Sequence, residues 1–413
     1  MRVLVIGSGG REHALVRALR LDPDPVEVYA APGNPGIAEL ATLAAVDAVD
    51  GPAVAGLAVD LGVDLVVIGP EAPLVAGVAD AVRARGVACF GPSREAAQIE
   101  GSKAFAKQVM AEAGVPTARA YVCASPAEVE EALDAFGPPY VVKEDGLAAG
   151  KGVVVTADRD EAIAHAKGCG RVVVEEYLDG PEVSVFALTD GSTVLPLQPA
   201  QDFKRLLDGD AGPNTGGMGA YSPLPWAPSA LVEETLEYVL QPTVDQLRHR
   251  GTPFVGLLYA GLALTSHGVR VVEFNARFGD PETQVLLPRL RSPLAPLLHA
   301  AATGSLEQVG PLRWAEEEAA VTVVLAAPGY PGAPRTGGRI TGLTPGEDAG
   351  TTYVLQAGTA LDAEGAVVAA GGRVLSVVGL GPTVGAAREA AYRRVATLGL
   401  EGEQHRTDIA AGV

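Results

Sequence analysis

The chain has 413 residues, 48% of them hydrophobic and 20% charged, with a formal net charge of −19. That is the composition of a globular protein with material for roughly two to four domains. The excess of acid disfavours a surface built to hold nucleic acid or an anionic membrane, and no apolar run reaches the length that spans a bilayer.

Residues 1–101 alternate short apolar strands (2–6, 26–30, 65–68 and 87–90) with helical stretches (12–21, 52–61 and 74–85). This rhythm predicts a doubly wound parallel sheet, whose strands end in glycine or proline turns where ligands collect. A helix follows over 102–113, ended by Gly114-Val-Pro116. Residues 117–177 form a small α+β unit. The segment up to 315 returns to longer elements, including strands 254–264 and 269–277. A surface link near 314–318 leads into a glycine-rich β unit, counted from 316 to 413, closed by one helix over about 383–398. The three cysteines, Cys89, Cys123 and Cys169, are odd in number and scattered, so they are expected to be small apolar residues in a reducing compartment rather than a disulfide framework. The opening Met1-Arg-Val-Leu-Val-Ile-Gly7 lacks the long apolar region and cleavage site of a signal peptide, and a cytoplasmic location is expected.

Four stretches carry chemistry. The run from Lys143 to Val153 lies between strands 140–143 and 153–156 and contains Gly146, Gly150, Lys151 and Gly152. Glycines let backbone N–H groups approach an anion and lysines supply point charges, so the loop suits a lid over polyphosphate. It is not a Walker loop, which needs Ser or Thr where Gly152 stands. Only six residues are lysine (103, 107, 143, 151, 167 and 204), all within one quarter of a chain that otherwise uses arginine.

The second stretch is Val271-Val-Glu-Phe-Asn-Ala-Arg-Phe-Gly-Asp-Pro-Glu282. Alternation along a strand puts Glu273, Asn275 and Arg277 on one face. A carboxylate with an amide oxygen suits Mg²⁺ or Mn²⁺, hard ions that also keep water and phosphate ligands. The third, Gln201-Asp-Phe-Lys-Arg205 with Gly212-Pro-Asn-Thr-Gly-Gly-Met-Gly219, has the length and glycine content of a functional loop. The fourth, residues 172–178 with Glu182, is a strand that ends in carboxylates. It fits either a solvated strand end or a hinge that reads an adenine and a ribose. The first turn, Gly7-Ser-Gly-Gly-Arg-Glu-His13, lacks the third glycine of a dinucleotide fingerprint. A single-phosphate site at a helix N-terminus and a plain strand-to-helix turn with an exposed arginine fit it equally.

Taken in order and spacing, these motifs, with Gly69-Pro-Glu-Ala-Pro-Leu74 and Glu100-Gly-Ser-Lys-Ala-Phe105, resemble the ATP-grasp superfamily, and within it the glycinamide ribonucleotide synthetase (phosphoribosylamine–glycine ligase) family, from residue 1 to about 410. The resemblance implies an ATP-grasp fold: an N-terminal pre-ATP-grasp α/β domain over 1–101, an ATP-grasp domain over 102–315 with a mobile lid at about 117–177, and a C-terminal β-rich domain over 316–413. It implies an ATP-dependent ligase of purine biosynthesis, a cytoplasmic monomer without nucleic-acid or membrane partners. Its substrates would be ATP, glycine and 5-phosphoribosylamine, joined through a glycyl phosphate.

By position, ATP would meet Lys103, Lys143, Gly150, Lys151, Gly152, Glu175, Glu176, Tyr177, Leu178 and Glu182. Glu273 and Asn275 would hold Mg²⁺ or Mn²⁺. The other substrates would meet Gly9, Gly10, Arg11, Glu12, Asp202, Lys204, Asn214, Gly217, Met218, Gly219, Arg277 and Asp280, with Arg277, Lys143 and Asp202 acting in catalysis. The chain departs from the family pattern at Glu144, where a small residue is usual, in a short stretch between Thr156 and Val172, and at Ala410, where glycine is common. The rival expectations are another ATP-grasp carboxylate–amine ligase, a carboxylase-like purine enzyme acting on bicarbonate or formate, and a catalytically silent nucleotide-binding module.

Overall fold

The computed structural model describes residues 1–147, 152–344, 346 and 350–413. At the N-terminus five parallel strands run in the order Thr42–Leu43, Glu27–Pro32, Arg2–Gly7, Leu65–Ile68, Ala88–Phe90. Val3 to Ile6 are all buried, because helices cover both faces of a parallel sheet and leave no side to water. The helix Gly51–Leu61 starts where Asp50 accepts from the Ala53 amide and stops at Gly62 in the left-handed conformation. The single helix expected over 74–85 is two, Glu71–Ala76 and Val78–Ala84. Gly77 between them adopts φ 88°, which ends the first helix and turns the chain into the second.

The small unit is a four-stranded antiparallel sheet in the order Ala120–Cys123, Val172–Glu175, Tyr140–Glu144, Val153–Thr156. Helices Pro126–Phe136 and Arg159–Lys167 supply Val129, Leu133 and Ala162, which pack with Val142, Val172 and Val174 on one face. Alternation then puts Lys143 and Glu175 on the other face and sends Glu144 the opposite way from Lys143.

A second antiparallel sheet, in the order Val194–Pro196, Glu182–Asp190, Val255–Thr265, Gly268–Asn275, forms the floor of the central region. Its last pair sets Tyr259 opposite Asn275 and Gly261 opposite Glu273. A third sheet crosses the expected boundary near 316. Its order is Gln201–Asp202, Gly219–Ser222, Ala319–Ala326, Arg373–Gly381, Thr352–Gln356. The long glycine-rich connection thus contributes two short strands to the sheet of the C-terminal unit.

The helix Val384–Val395 lies on this sheet where Gly379 has no side chain. A methyl group at 379 would overlap the carbonyl oxygen of Ala387 and the amide of Ala391, both backbone atoms that cannot rotate away. Gly379→Ala is therefore expected to cost about 2–3 kcal/mol by overpacking, read as a lower urea midpoint at unchanged slope.

Candidate active site

Lys143 is buried and points from the small unit toward the central sheet. Its ammonium donates to the Val272 carbonyl at 3.0 Å and pairs with Glu175 at 2.8 Å. The other Glu175 oxygen meets Lys107 at 3.1 Å. Lys103, in the first turn of the helix Lys103–Ala113, donates to the Gly146 carbonyl at 3.0 Å. Burial pulls the pKa of Lys103 down, while the nearby Glu273 opposes that pull. Gly152 accepts the Glu144 amide at 2.7 Å and lies 3.2 Å from the His165 ring. Gly150 and Lys151 lie outside the described residues. Glu176 turns to Arg119, at 2.7 Å, Tyr177 is exposed and Leu178 is half-buried.

Across this cleft the strand Gly268–Asn275 presents Glu273 and Asn275. Among the described residues no cation or donor reaches the Glu273 carboxylate, and Gly261 opposite leaves it uncovered. Asp202, Lys204 and Glu182 gather on the neighbouring short strand and sheet edge. Lys204 pairs with Glu182 and lies 3.8 Å from Asp202. Burial, with Glu282, Glu182 and Glu273 adding to it, pushes the Asp202 carboxyl up to about 7 against the pull of Lys204. The Lys204 ammonium is raised, because Asp202, Glu182 and Glu273 outweigh its burial. Glu282 is buried and accepts from Tyr259, whose hydroxyl also lies 2.7 Å from Ser184.

This arrangement fits a divalent cation. An uncovered carboxylate and an amide oxygen face a space bordered by three further carboxylates, a charge that a hard cation would relieve. Among the described residues no three His, Cys, Asp or Glu side chains converge as a self-sufficient metal cage, so phosphate and water would complete the coordination.

A third group of charges lies where the N-terminal sheet meets the end of the strand Gly268–Asn275. Arg277 pairs with Glu100 at 3.1 Å and Glu71 at 3.4 Å, and donates to Asn275 and to the Phe278 carbonyl. Arg11 is not exposed. Its buried guanidinium bonds Glu12 at 2.6 Å and the same Phe278 carbonyl at 3.2 Å. Glu12 reaches back to the Gly9 amide at 2.6 Å, so its carboxylate caps its own helix rather than facing a ligand. Burial pushes the Glu100 carboxyl up, whereas Arg277 and Arg11 overcome burial and hold Glu71 below its ordinary value.

Asp280 bonds Gln284 and pairs with Arg373 at 3.1 Å. Arg373 also donates to the carbonyls of Gly216, Gly217 and Asp280. Gly217, at φ 111°, lies so close to Pro281 that a methyl group there would overlap the ring. Gly10 packs against Gln284, and Asn214 pairs with Arg205 in a short hairpin. Met218 is enclosed by Leu206, Ala326 and Tyr330, with its amide and carbonyl bonded to Phe203 and Val324. Gly219 is likewise taken up in the sheet. These two positions are framework, because a fully packed side chain and satisfied backbone leave little to offer a ligand.

Comparison with known proteins completes the picture. The family descriptions "Phosphoribosylglycinamide synthetase, N domain", "ATP-grasp (A) domain" and "C domain" match residues 1–100, 101–283 and 320–412. The chain belongs to the phosphoribosylglycinamide synthetase family. It is 69% identical, over all of its length and 99% of the relative's, to a phosphoribosylamine–glycine ligase of Streptomyces coelicolor. It is 56% identical to that of Mycobacterium tuberculosis, over 99% of this chain and 97% of the relative's. The crystal structure of the Thermotoga maritima phosphoribosylamine–glycine ligase superposes with a TM-score of 0.85 at 35% identity, covering 99% of this chain and 100% of that one. A biotin carboxylase domain from Hydrogenobacter thermophilus, at 17% identity and TM-score 0.75 over 98% of this chain and 91% of that one, shares the fold.

Glu71, Glu100, Lys107, Tyr259 and Arg373 escaped the sequence reading of the site. Glu71 and Glu100 fall in motifs that carry the family resemblance, whereas Arg373 opens an ordinary β-strand and shows no local signal.

The same N-terminal helix yields a pH test. His13 is buried, its Nδ1 accepts the Gln356 amide at 2.9 Å, and burial pushes its pKa down from 6.5 to about 4. A base whose folded pKa is depressed contributes stability above its unfolded pKa, and loses it as the pH falls from about 6.5 toward about 4. Between pH 7 and 5 the native protein is expected to lose about 2 kcal/mol more stability than His13→Asn, which keeps an acceptor but cannot titrate. Urea midpoints at the two pH values measure the difference.

Proposed function

We infer that the protein is an ATP-dependent ligase that joins glycine to 5-phosphoribosylamine, giving glycinamide ribonucleotide, ADP and phosphate. The observation that carries this reading is the strand face of Glu273 and Asn275 set opposite buried Lys143 and half-buried Lys103, within a chain that matches one ligase family from end to end. In this reading ATP lies between the small unit and the central sheet. Lys103 and Lys143 meet its phosphates, and the segment from Glu175 to Leu178 meets the adenine through backbone groups, since the Glu175 and Glu176 side chains already have partners. Glu182 would hold the ribose once it leaves Lys204. Mg²⁺ or Mn²⁺, held by Glu273 and Asn275, would neutralise the triphosphate and hold it in line.

The glycine carboxylate attacks the γ-phosphorus and expels ADP, giving glycyl phosphate. Two anions must meet, so the lysines screen one and Arg277, fixed by Glu71 and Glu100, screens the other. Asp202 is crowded by Glu182, Glu273 and Glu282, and the glycine ammonium would be a welcome cation there. The amine of phosphoribosylamine then attacks the carbonyl carbon, the C–N bond forms, and phosphate leaves with the carboxyl oxygen while the amine gives up its proton. Its phosphate would sit at the Gly9–Gly10 turn, at the N-terminus of the helix Gly10–Arg20. A cytoplasmic monomer acting on small molecules completes the reading.

Release of ADP by the purified protein, with ATP, Mg²⁺, glycine and phosphoribosylamine formed in situ and each omitted in turn, tests the assignment. Release that needs both glycine and the amine supports it, and release independent of them refutes it. Glu273→Gln is expected to lower turnover by roughly 10²–10³-fold with an unchanged circular dichroism spectrum. Turnover near the native value would remove Glu273 from the metal site.

A further inference from the structure

The buried charges behind Lys143 carry one more conclusion. Lys107 and Lys143 share Glu175, one on each carboxylate oxygen, with all three side chains at most 11% exposed. An ammonium has three donors. Lys107 uses all of them inside the protein: on Glu175, on the Thr117 hydroxyl at 2.9 Å and on the Ala118 carbonyl at 2.9 Å. Thr117 in turn donates to the Val271 carbonyl at 2.6 Å, which ties Lys107 to the start of the metal-face strand. Lys143 uses two donors, on Glu175 and on the Val272 carbonyl, and among the described residues its third is not taken. Lys107 is therefore a fixed ion and Lys143 one with reach to spare.

The triad carries one carboxylate for two ammonium groups, so it keeps an excess positive charge that is shielded from water. Burial pulls the Lys107 pKa down, and Glu175 works against that pull. Without Lys107, Glu175 would have Lys143 as its only cationic partner in the triad. Drawing Lys143 toward a phosphate would then leave a buried carboxylate uncompensated, which costs far more than stretching one bond of a triad. Lys107 lies one helical turn beyond Lys103, on the same helix face, so a single helix supplies one lysine to the cleft and one behind it.

We propose that Lys107 is a positioning residue for ATP: by sharing Glu175 it leaves Lys143 able to move onto a nucleotide phosphate. This rests on the reading of the cleft as the ATP site. Calorimetric titration of the full-length protein with MgADP, together with steady-state kinetics, tests it. Lys107→Met is expected to raise the MgADP Kd and the KM for ATP about tenfold while the KM for glycine stays within twofold. The double variant Lys107→Met/Glu175→Gln removes the carboxylate that captures Lys143 and is expected to return the MgADP Kd to within threefold of native. A purely structural role for Lys107 would lower the urea midpoint and raise the KM for glycine together with that for ATP.

An unchanged Kd in Lys107→Met, or a double variant that binds no better than the single one, overturns the assignment. If Lys107→Met does not fold, the double variant alone decides, and a tenfold loss of MgADP affinity in it counts against the proposal. Failure of the native protein to bind MgADP overturns the ATP reading itself, and this assignment with it.

Discussion

The site depends on one buried guanidinium. Arg277 follows the metal-face strand and is largely withdrawn from water, so its charge must be met by carboxylates within the protein. Two distant segments supply them, Glu71 from the first residue of the helix Glu71–Ala76 and Glu100 from the short helix Gln98–Gly101 before the lysine-bearing helix. Glu100 also accepts the Ala276 amide at 2.7 Å, which pins the backbone as well as the side chain. The strand with Glu273 and Asn275, the helix with Lys103 and Lys107, and the N-terminal unit are thereby held to one another. A metal ligand and a phosphate ligand need such mutual registration, since small displacements between them are costly in a transfer reaction.

The division between arginine and lysine follows from the same logic. At Arg11, Arg277, Arg373 and Arg406 a planar fork bridges several backbone carbonyls and carboxylates at once. Such bonds fix geometry, and exchanging the partner would break several together. Lys103, Lys143 and Lys204 each make fewer, more easily exchanged contacts and face the cleft. An acidic chain that must bind a triphosphate gains from keeping its exchangeable cations local and at least partly withdrawn from water, where bulk salt screens them less. Beside them lies a crowd of carboxylates around Asp202, so positive and negative charge are segregated within the site.

What the sequence revealed follows from how local each feature is. Strands such as Leu65–Ile68 and Val153–Thr156 were legible to the residue, because a continuous apolar run bounded by turns has little else to become. The strand ends at Asn275, so Arg277 follows it rather than lying within it, but the alternation that puts Glu273 and Asn275 on one face was legible from the period-2 pattern. The break at Gly77 was not, since glycine inside a helical pattern is often tolerated and only its left-handed conformation decides. Nor were the short strands at 201–202 and 219–222: Gly219–Ser222 exists because Ala319–Ala326 offers it a partner about a hundred residues away, and Gln201–Asp202 pairs in turn with Gly219–Ser222. The triad of Lys107, Glu175 and Lys143 brings together a helix and two strands that no spacing rule connects. Ala410 sits at φ 54°, a conformation that glycine adopts without strain, so alanine there carries a conformational cost.

The C-terminal unit is better understood as part of the site than as an appendage. The glycine-rich connection has no apolar stripe of its own to fix its path, and its glycines would make an isolated loop expensive to order. Its order comes from outside. Gly219–Ser222 is paired along Ala319–Ala326, while Arg373 holds the Gly216 and Gly217 carbonyls and the Asp280 carboxylate together. Asp280 in turn follows Arg277 by three residues, so the C-terminal sheet and the buried guanidinium grip the same turn from opposite sides. A glycine-rich backbone must take its rigidity from its neighbours, and in this fold it comes from a sheet some hundred residues further along the chain.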